Sequence, residues 1–278
     1  MDIFVLQQEA IINNYVLEFD IYRKNINGNN MLILCQGYSL SKDYWPLYFI
    51  ENILYCSNID VIVCYNYRGF TSKKIPSNEL LGVPSSELSL ALLSKDLYQF
   101  ILFLQRKFGK QYHITLLGHS MGTFIVHKFL DLLSKQEIRK QIDVNLIIFI
   151  SGGCHCSFDF LEKFNDRNFK QFVEQSANSK SKRYVTLQTL ISYAMMIFLN
   201  RLQNKCDYSS LSKFKIHVLD IYGENDNFLT FHRHGNCIQD NWNPEFYTKK
   251  LIKNGNHHLL NHKLNQITEI INQFLCKS

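Results

Sequence analysis

The residues of this sequence that are best suited to chemistry surround a serine. Residues 118–122 read Gly-His-Ser-Met-Gly and lie between a strand-like run at 112–117 and an amphipathic run at 123–133. A sharp turn from a strand into a helix strains the backbone of its central residue and exposes that side chain. The pattern predicts a nucleophile elbow centred on Ser120. The alternative is a glycine-rich turn with an inert serine.

Small residues on both sides of Ser120 fit such a turn. Gly118 and Gly122 each stand two positions from the serine, where a Cβ would collide with the adjoining strand or helix. His119 completes the elbow, and Gly37 follows a predicted strand and lets the backbone approach the substrate. We expect these four residues to support the position of Ser120.

A serine hydroxyl is a weak nucleophile at neutral pH, so Ser120 needs a base and a carboxylate that orients the base. Asp226 follows a predicted strand at 216–221, and His257 and His258 follow the last predicted strand. An isolated loop aspartate commonly forms a turn, and adjacent histidines in a polar loop are commonly solvated. Their occurrence at two successive strand ends favours a Ser-His-Asp triad.

The same chemistry needs donors for a developing oxyanion. The backbone N–H of Met121, directly after the predicted nucleophile, is one candidate. The loop after the predicted strand at 31–35 supplies the other, the N–H of Tyr38.

Short apolar strands that alternate with helices must position these residues. The periodicity predicts strands at 4–7, 15–22, 31–35, 61–65, 112–117, 144–150, 216–221 and 246–252. It predicts helices at 43–54, 88–108, 123–133, 229–238 and 259–275. This alternation indicates an α/β protein with a mainly parallel sheet covered on both faces. Ligand sites in such sheets lie beyond the carboxyl ends of the strands.

Composition excludes several other classes of protein. A chain of 278 residues with 46% hydrophobic and 19% charged residues is globular, and its net charge of +6 is too scattered for nucleic-acid binding. The N-terminus lacks the basic region of a signal peptide, and the longest apolar run, at 187–199, is too short and polar to span a membrane.

The eight cysteines are spread through predicted strands and helices, as expected of buried thiols in a reducing compartment, so we expect a cytoplasmic protein. Cysteines and histidines at 154–156 and 232–237 lack a second paired set at zinc spacing, so we expect no metal and no cofactor.

The motifs together resemble the α/β-hydrolase superfamily over essentially the whole chain. Residues 118–122 resemble its elbow, 223–226 its acid loop and 255–258 its histidine loop. A fainter similarity, at 37–45 and the elbow, is to fungal peroxisomal lipase-like members.

Three positions depart from the pattern of the family, at places beside the predicted site. Residues 66–72 resemble its D-x-R-G-x-G-x-S segment, but Asn66 and Thr71 differ from it. Gln36 stands where the family usually has histidine. The backbone donor at Tyr38 needs no side chain, but the bracing of its loop is expected to change.

The resemblance also implies which histidine acts and what the long insertion does. In the family the catalytic histidine follows the last strand's polar turn, which implies that His257 is the base; a register shifted by one residue would assign His258. The resemblance further implies a helical cap at 154–213, inserted into a hydrolase core formed by 1–153 and 214–278. Its apolar residues suit an acyl chain or simply attach the cap to the core.

Two kinds of function follow from these expectations. The first is a serine hydrolase, carboxylesterase-like or lipase-like, that cleaves esters or thioesters of apolar acyl groups through an acyl-enzyme; a related acyltransferase is an alternative. The second is a non-catalytic binding protein with the same fold. A small or lipid-like ester is the expected ligand, and the expected state is a monomer or weak homodimer.

Overall fold

Apolar strands with β-branched residues form the centre of the protein. The computed structural model describes residues 3–25, 27–37, 40–68, 90–152, 215–226 and 242–277. The described strands are β1 (Phe4–Ile12), β2 (Tyr15–Arg23), β3 (Asn30–Cys35), β4 (Val61–Tyr65), β5 (His113–His119), β6 (Asp143–Ile150), β7 (His217–Gly223) and β8 (Tyr247–Ile252). They form one eight-stranded sheet in the order β1-β2-β4-β3-β5-β6-β7-β8.

The sheet is mixed, with a parallel majority. β1 pairs antiparallel with β2, and β2 pairs antiparallel with β4, whereas all other neighbours are parallel. The predicted α/β class and the mainly parallel sheet are therefore confirmed.

Helices cover both faces of this sheet. The described helices are α1 (Leu47–Cys56), α2 (Leu90–Phe108), α3 (Met121–Leu133), α4 (Gln136–Arg139), α5 (Leu259–His262) and α6 (Leu264–Lys277). Alternate residues of β3 point to opposite faces: Met31 and Ile33 join the core beneath α2 and α3, and Leu32 and Leu34 join the core beneath α1 and α6. Burial on both faces explains why β3 lacks polar alternation.

The predicted helix at 43–54 is wrong at its start. Lys42–Tyr44 forms one 3-10 turn, and α1 begins at Leu47, directly after Pro46. Proline disfavours the helical conformation of the residue before it, and Trp45 is extended, with φ −79° and ψ 118°. The apolar periodicity continues across the proline, so periodicity alone placed the start too early.

Boundaries at the two ends of the chain also differ from prediction. The strand predicted at 4–7 continues to Ile12, because β1 pairs with β2 along its length around a turn in which Asn13 and Asn14 have positive φ. The helix predicted at 259–275 is two helices separated at Lys263, where φ is −128° and ψ is 25°. No proline or glycine marks that break.

The expectation of buried thiols is only partly correct. Cys35 and Cys64 are buried in strands, whereas Cys56 and Cys276 are exposed at the last turns of α1 and α6. The helix predicted at 229–238 and the cap predicted at 154–213 lie outside the described residues, so the division into core and cap stays a prediction.

Strand register brings the predicted site loops to one edge of the sheet. Cys35 of β3 lies beside Gly118 of β5, and His119 lies beside Ile150 of β6. Because these strands are parallel, their carboxyl ends meet there. The segments after β3, β5, β7 and β8 all start from this edge.

Candidate active site

The turn between β5 and α3 holds Ser120 in an unusual conformation. Its φ of 51° and ψ of −116° lie in a region that costs a non-glycine residue on the order of 1–3 kcal/mol. Three hydrogen bonds hold the turn: Ser120 N–H donates to the Ile150 carbonyl at 3.1 Å, and the N–H and hydroxyl of Thr123 donate to the Ser120 carbonyl at 3.0 and 2.7 Å. The strain is therefore offset by contacts on both sides of the serine.

Close backbone packing explains the glycines around this turn. A Cβ on Gly122 would lie 2.0 Å from the Cys35 carbonyl oxygen, and one on Gly118 would lie 2.7 Å from the Thr123 nitrogen. A Cβ on Gly37 would lie 3.2 Å from Nδ1 of His119. Any larger residue at 118 or 122 would push α3 away from the ends of β3 and β5.

The loops after β7 and β8 are tied to each other. Asn225 N–H donates to the Gly255 carbonyl at 2.7 Å, and Asn254 N–H donates to the Glu224 carboxylate at 2.8 Å. A Cβ on Gly223 would lie 2.5 Å from the Gly255 oxygen, so this approach requires glycine. The two loops that carry Asp226 and the histidines thus form one unit.

These elements bring Ser120, His257 and Asp226 into one line of contacts. Nε2 of His257 lies 2.9 Å from the Ser120 hydroxyl oxygen, and Nδ1 lies 2.9 Å from Oδ2 of Asp226. The Asp226 side chain is fully buried, and that of His257 is 11% exposed. Because a carboxylate only accepts hydrogen bonds, Nδ1 carries the proton of the neutral ring and Nε2 is left to accept from the serine hydroxyl.

The ring between the serine and the aspartate is that of His257 rather than His258. His258 precedes α5, where its backbone N–H donates to Oδ1 of Asn256 at 2.9 Å. Its ring stands edge-on to that of His257, with centroids 5.4 Å apart. Burial, and then the neighbouring His257, lower the pKa of His258.

Of the two predicted oxyanion donors, only Met121 lies among the described residues. Met121 is the first residue of α3, and N–H groups in the first turn of a helix have no partner within the helix. Its N–H therefore lies beside Ser120 at the positive end of the helix dipole. Tyr38 lies outside the described residues, so its role as a donor stays a prediction.

Gln36 braces the start of the predicted oxyanion loop from inside the protein. Its side chain is fully buried, and its amide Nε2 donates to the Tyr65 carbonyl at 2.8 Å. The hydroxyl of Tyr67 donates to the Gln36 carbonyl at 2.7 Å. The glutamine thus ties the end of β3 to the end of β4.

Asn66 holds the other end of the same loop, and its amide explains the departure from the family's aspartate. Its Nδ2 donates to Glu18 at 2.8 Å, and its Oδ1 accepts from the backbone N–H of Lys42 at 2.6 Å. This position needs a donor and an acceptor at once. A carboxylate there would face the carboxylate of Glu18.

Sequence reasoning missed both partners in this network. Glu18 lies on β2, which reaches Asn66 only because β2 pairs with β4. The Lys42 side chain is buried and donates to Asp20 at 2.6 Å and to Asp43 at 3.1 Å. Burial lowers the pKa of Lys42, but both carboxylates outweigh that effect and raise it overall. The position of Lys42 next to a predicted helix start did not indicate these ion pairs.

Two further residues of the matched motifs have structural partners. Arg68, from the segment at 66–72, makes a paired contact with Asp96 of α2, at 2.5 and 2.6 Å. His119 is 1% exposed, stacks on Tyr44 with ring centroids 5.1 Å apart, and lies 5.8 Å from the ring of His257. Burial and then the neighbouring His257 lower the pKa of His119 to about 3, which keeps it neutral at physiological pH.

Within the described part of the chain, no group of three or more histidine, cysteine or acidic residues could hold a metal ion. The clusters at 154–156 and 232–237 lie outside that part. No described helix is both long and apolar enough to cross a membrane.

The fold and this arrangement of loops define the class of protein. The family model for the alpha/beta hydrolase fold matches residues 30–178, which is more than half of the chain. The protein therefore belongs to the α/β-hydrolase family, as the motifs predicted. A comparison with curated protein sequences gives no significant match.

Solved structures with the same fold differ widely in their described activities. The peroxisomal α/β-hydrolase of Saccharomyces cerevisiae aligns with a TM-score of 0.65 at 14% identity, covering 100% of this chain and 90% of its own. A bromoperoxidase from Bacillus anthracis gives 0.64 at 18% identity, with 97% and 99% covered. An esterase from Rhodococcus sp. ECU1013 gives 0.61 at 12%, with 97% and 98% covered. At such identities the likeness shows the fold alone.

Proposed function

We propose that the protein is a serine hydrolase that cleaves esters or thioesters of apolar acyl groups. In this proposal Ser120 is the nucleophile, His257 the general base and Asp226 the residue that orients the base. The observation that carries the proposal is the pair of 2.9 Å contacts on the two nitrogens of His257. A binding protein has no need of this aligned set.

In the first step the Ser120 oxygen attacks the carbonyl carbon of the ester, while its proton moves to Nε2 of His257. The imidazolium that forms is stabilised by the fully buried carboxylate of Asp226. The oxyanion accepts hydrogen bonds from the N–H of Met121 and from the second predicted donor, the N–H of Tyr38.

Collapse of this intermediate breaks the bond to the leaving group. His257 returns its proton to the departing alkoxide or thiolate, and an acyl group stays on Ser120. Water then attacks the acyl-enzyme with His257 again as base, which releases the acid and restores the serine.

Two considerations favour acyl chemistry over the other reactions of this fold. A serine cannot form the ester intermediate that carboxylate nucleophiles use to open epoxides or displace halides. An esterase is among the structures with the same fold, which supports a small ester substrate. The preference for apolar acyl groups rests on the apolar residues of the predicted cap.

The test is hydrolysis of p-nitrophenyl acetate, butyrate and octanoate and of an acyl thioester by the purified chain and four variants. Ser120→Ala and His257→Ala are each expected to reduce kcat by about 10⁴-fold or more. His258→Ala is the matched control, because its ring does not lie between the serine and the aspartate, and it is expected to keep most of the turnover. Phe124→Leu, a conservative change in α3, is a second control. It tests whether a substitution and purification alone reduce kcat.

Full activity in the Ser120→Ala variant would contradict the assignment of the nucleophile. Loss of activity in His258→Ala with retention in His257→Ala would move the base by one residue and contradict the assignment made here. Folded wild-type protein that cleaves none of these substrates and does not react with an activated ester would favour a binding protein.

A further inference from the structure

Two exposed cysteines face each other where α1 and α6 run side by side. Nδ2 of Asn272 donates to Oδ1 of Asn52 at 2.7 Å, and Sγ of Cys276 donates to the Cys56 carbonyl at 3.2 Å. Both pairs are 220 residues apart in the chain. Residues four apart share one face of a helix, so the two helices run in the same direction along one seam. Cys56 and Cys276 therefore face each other one turn beyond the asparagines.

The place of these thiols at the helix ends leaves them room to move. Cys56 is the last residue of α1, and its carbonyl is one of those that a helix end leaves without a partner in the helix. The oxygen that Cys276 contacts is two bonds from the Cα of Cys56. A disulfide here would require the Cys56 side chain to rotate toward Cys276 Sγ, which already lies 3.2 Å from the Cys56 carbonyl oxygen.

Exposure separates this pair from the other described cysteines. Cys35 and Cys64 are fully buried, and burial raises the pKa of the Cys35 thiol to about 12. A thiol that stays protonated inside a core does not attack a disulfide. Cys56 and Cys276 are both exposed and both free. Of the cysteines that the structure describes, these two are accessible to a soluble disulfide reagent.

We propose that Cys56 and Cys276 form a site of reversible oxidation by a small disulfide such as glutathione disulfide. One thiolate attacks the reagent, which forms a mixed disulfide and releases one glutathione thiolate. The second cysteine, as its thiolate, then attacks the protein sulfur of that mixed disulfide and releases the second glutathione. The protein loses two hydrogens, one S–S bond is exchanged for another, and the reagent is reduced to two thiols.

Closing this bridge would join α1 to the last helix of the chain. Cross-links that close long loops restrict the unfolded chain most in the entropic account, so the oxidised protein should be more resistant to heat. The bridge also fixes α6, which follows the loop of His257. The inference does not rest on the proposed hydrolase activity, because neither cysteine contacts the candidate active site.

The test treats the reduced full-length protein with glutathione disulfide, blocks remaining thiols by alkylation, and measures intact mass, linked peptides and thermal unfolding. We expect the mass before alkylation to fall by two hydrogens, one linked peptide pair to contain Cys56 and Cys276, and Tm to rise by several degrees. Dithiothreitol should reverse all three changes. Cys56→Ser and Cys276→Ser are matched variants, and each should instead carry one glutathione on the remaining cysteine without the rise in Tm.

Wild-type protein that collects glutathione on both cysteines without an internal link would overturn the proposal. So would a linked peptide that joins either cysteine to one of the other six. Because the readouts are mass and Tm, they give the same answer whether or not the protein hydrolyses esters.

Discussion

Two buried aspartates belong to the same strand and its following loop, yet their surroundings differ in kind. Asp220 lies inside β7, and the hydroxyls of Tyr222 and Tyr247 both donate to its Oδ2 at 2.7 Å. Asp226 lies in the loop beyond β7, and its Oδ2 contacts the ring of His257 at 2.9 Å. One carboxyl has neutral partners, and the other has a partner that can take up a proton.

The partners determine what each carboxyl can do. Burial raises the pKa of Asp220 to about 7, although the two tyrosines and Lys249 act in the opposite direction. Its Oδ1 has no hydrogen-bond partner among the described residues, so a proton there is compatible with both tyrosines donating to Oδ2. Asp226, in contrast, faces a ring that, in the proposed mechanism, becomes a cation when it accepts the proton of Ser120. Burial alone therefore does not distinguish the proposed catalytic aspartate from Asp220.

The largest expected effect comes from replacing each aspartate by its amide. Asp226→Asn should reduce kcat for p-nitrophenyl butyrate on the order of 10⁴-fold, because an amide no longer holds His257 in the required tautomer. Asp220→Asn should leave kcat within a few-fold of wild type, since asparagine resembles the protonated acid. Initial rates and circular dichroism of both variants would check this. Equal losses of activity in two folded variants would contradict the distinction between the two residues.

A smaller effect is expected from adding a carboxylate that the protein lacks. Asn66→Asp would place a second carboxylate against Glu18, and we expect kcat to fall about tenfold, equivalent to about 1.4 kcal/mol, because the loop between Gln36 and Lys42 is displaced. Adding Glu18→Gln should restore most of the loss, since glutamine can donate to the new aspartate. Glu18→Gln alone serves as the control.

The rescue distinguishes positioning from general destabilisation. The four proteins of this double-mutant cycle should differ in kcat more than in Tm. A loss in Asn66→Asp that Glu18→Gln does not reduce would show that charge at this position is not the cause.

The effect with the least consequence for turnover is on stability and its dependence on pH. Asp220 has an ordinary pKa of 3.8 and a folded-state pKa of about 7, so its contribution to stability is fully present below about pH 4 and is lost as the pH rises through 7. Over that range the wild-type free energy of unfolding should fall relative to Asp220→Asn by at most about 1.4 kcal/mol per pH unit. Urea unfolding at several pH values would measure the difference, and identical slopes for the two proteins would mean that Asp220 is ionised in the folded state.

Much of the fold and the candidate site could be predicted because the informative residues are local in sequence. The elbow was predicted from the strand at 112–117 and the glycines at 118 and 122. The loops that carry Asp226 and His257 each follow an apolar strand. The contacts of Glu18 and Cys56 could not be predicted in this way, since they depend on which strands and helices become neighbours.

Other errors could have been avoided from single residues that hydrophobic periodicity does not take into account. Pro46 marks the true start of α1, and Asn13 and Asn14 mark the turn that extends β1. Asp220 is an acid within the apolar strand predicted at 216–221, but its partner Tyr247 on β8 was not visible in the sequence.

The central claim is that Ser120 is an activated nucleophile, and reaction with a fluorophosphonate probe tests it most directly. Only a serine whose proton is taken up by a neighbouring base reacts rapidly with such a reagent. We expect one probe per chain, attached to Ser120 by peptide mass, with no labelling of Ser120→Ala and strongly slowed labelling of His257→Ala. Folded wild-type protein that stays unlabelled, or a Ser120→Ala variant labelled as fast as wild type, would contradict the account.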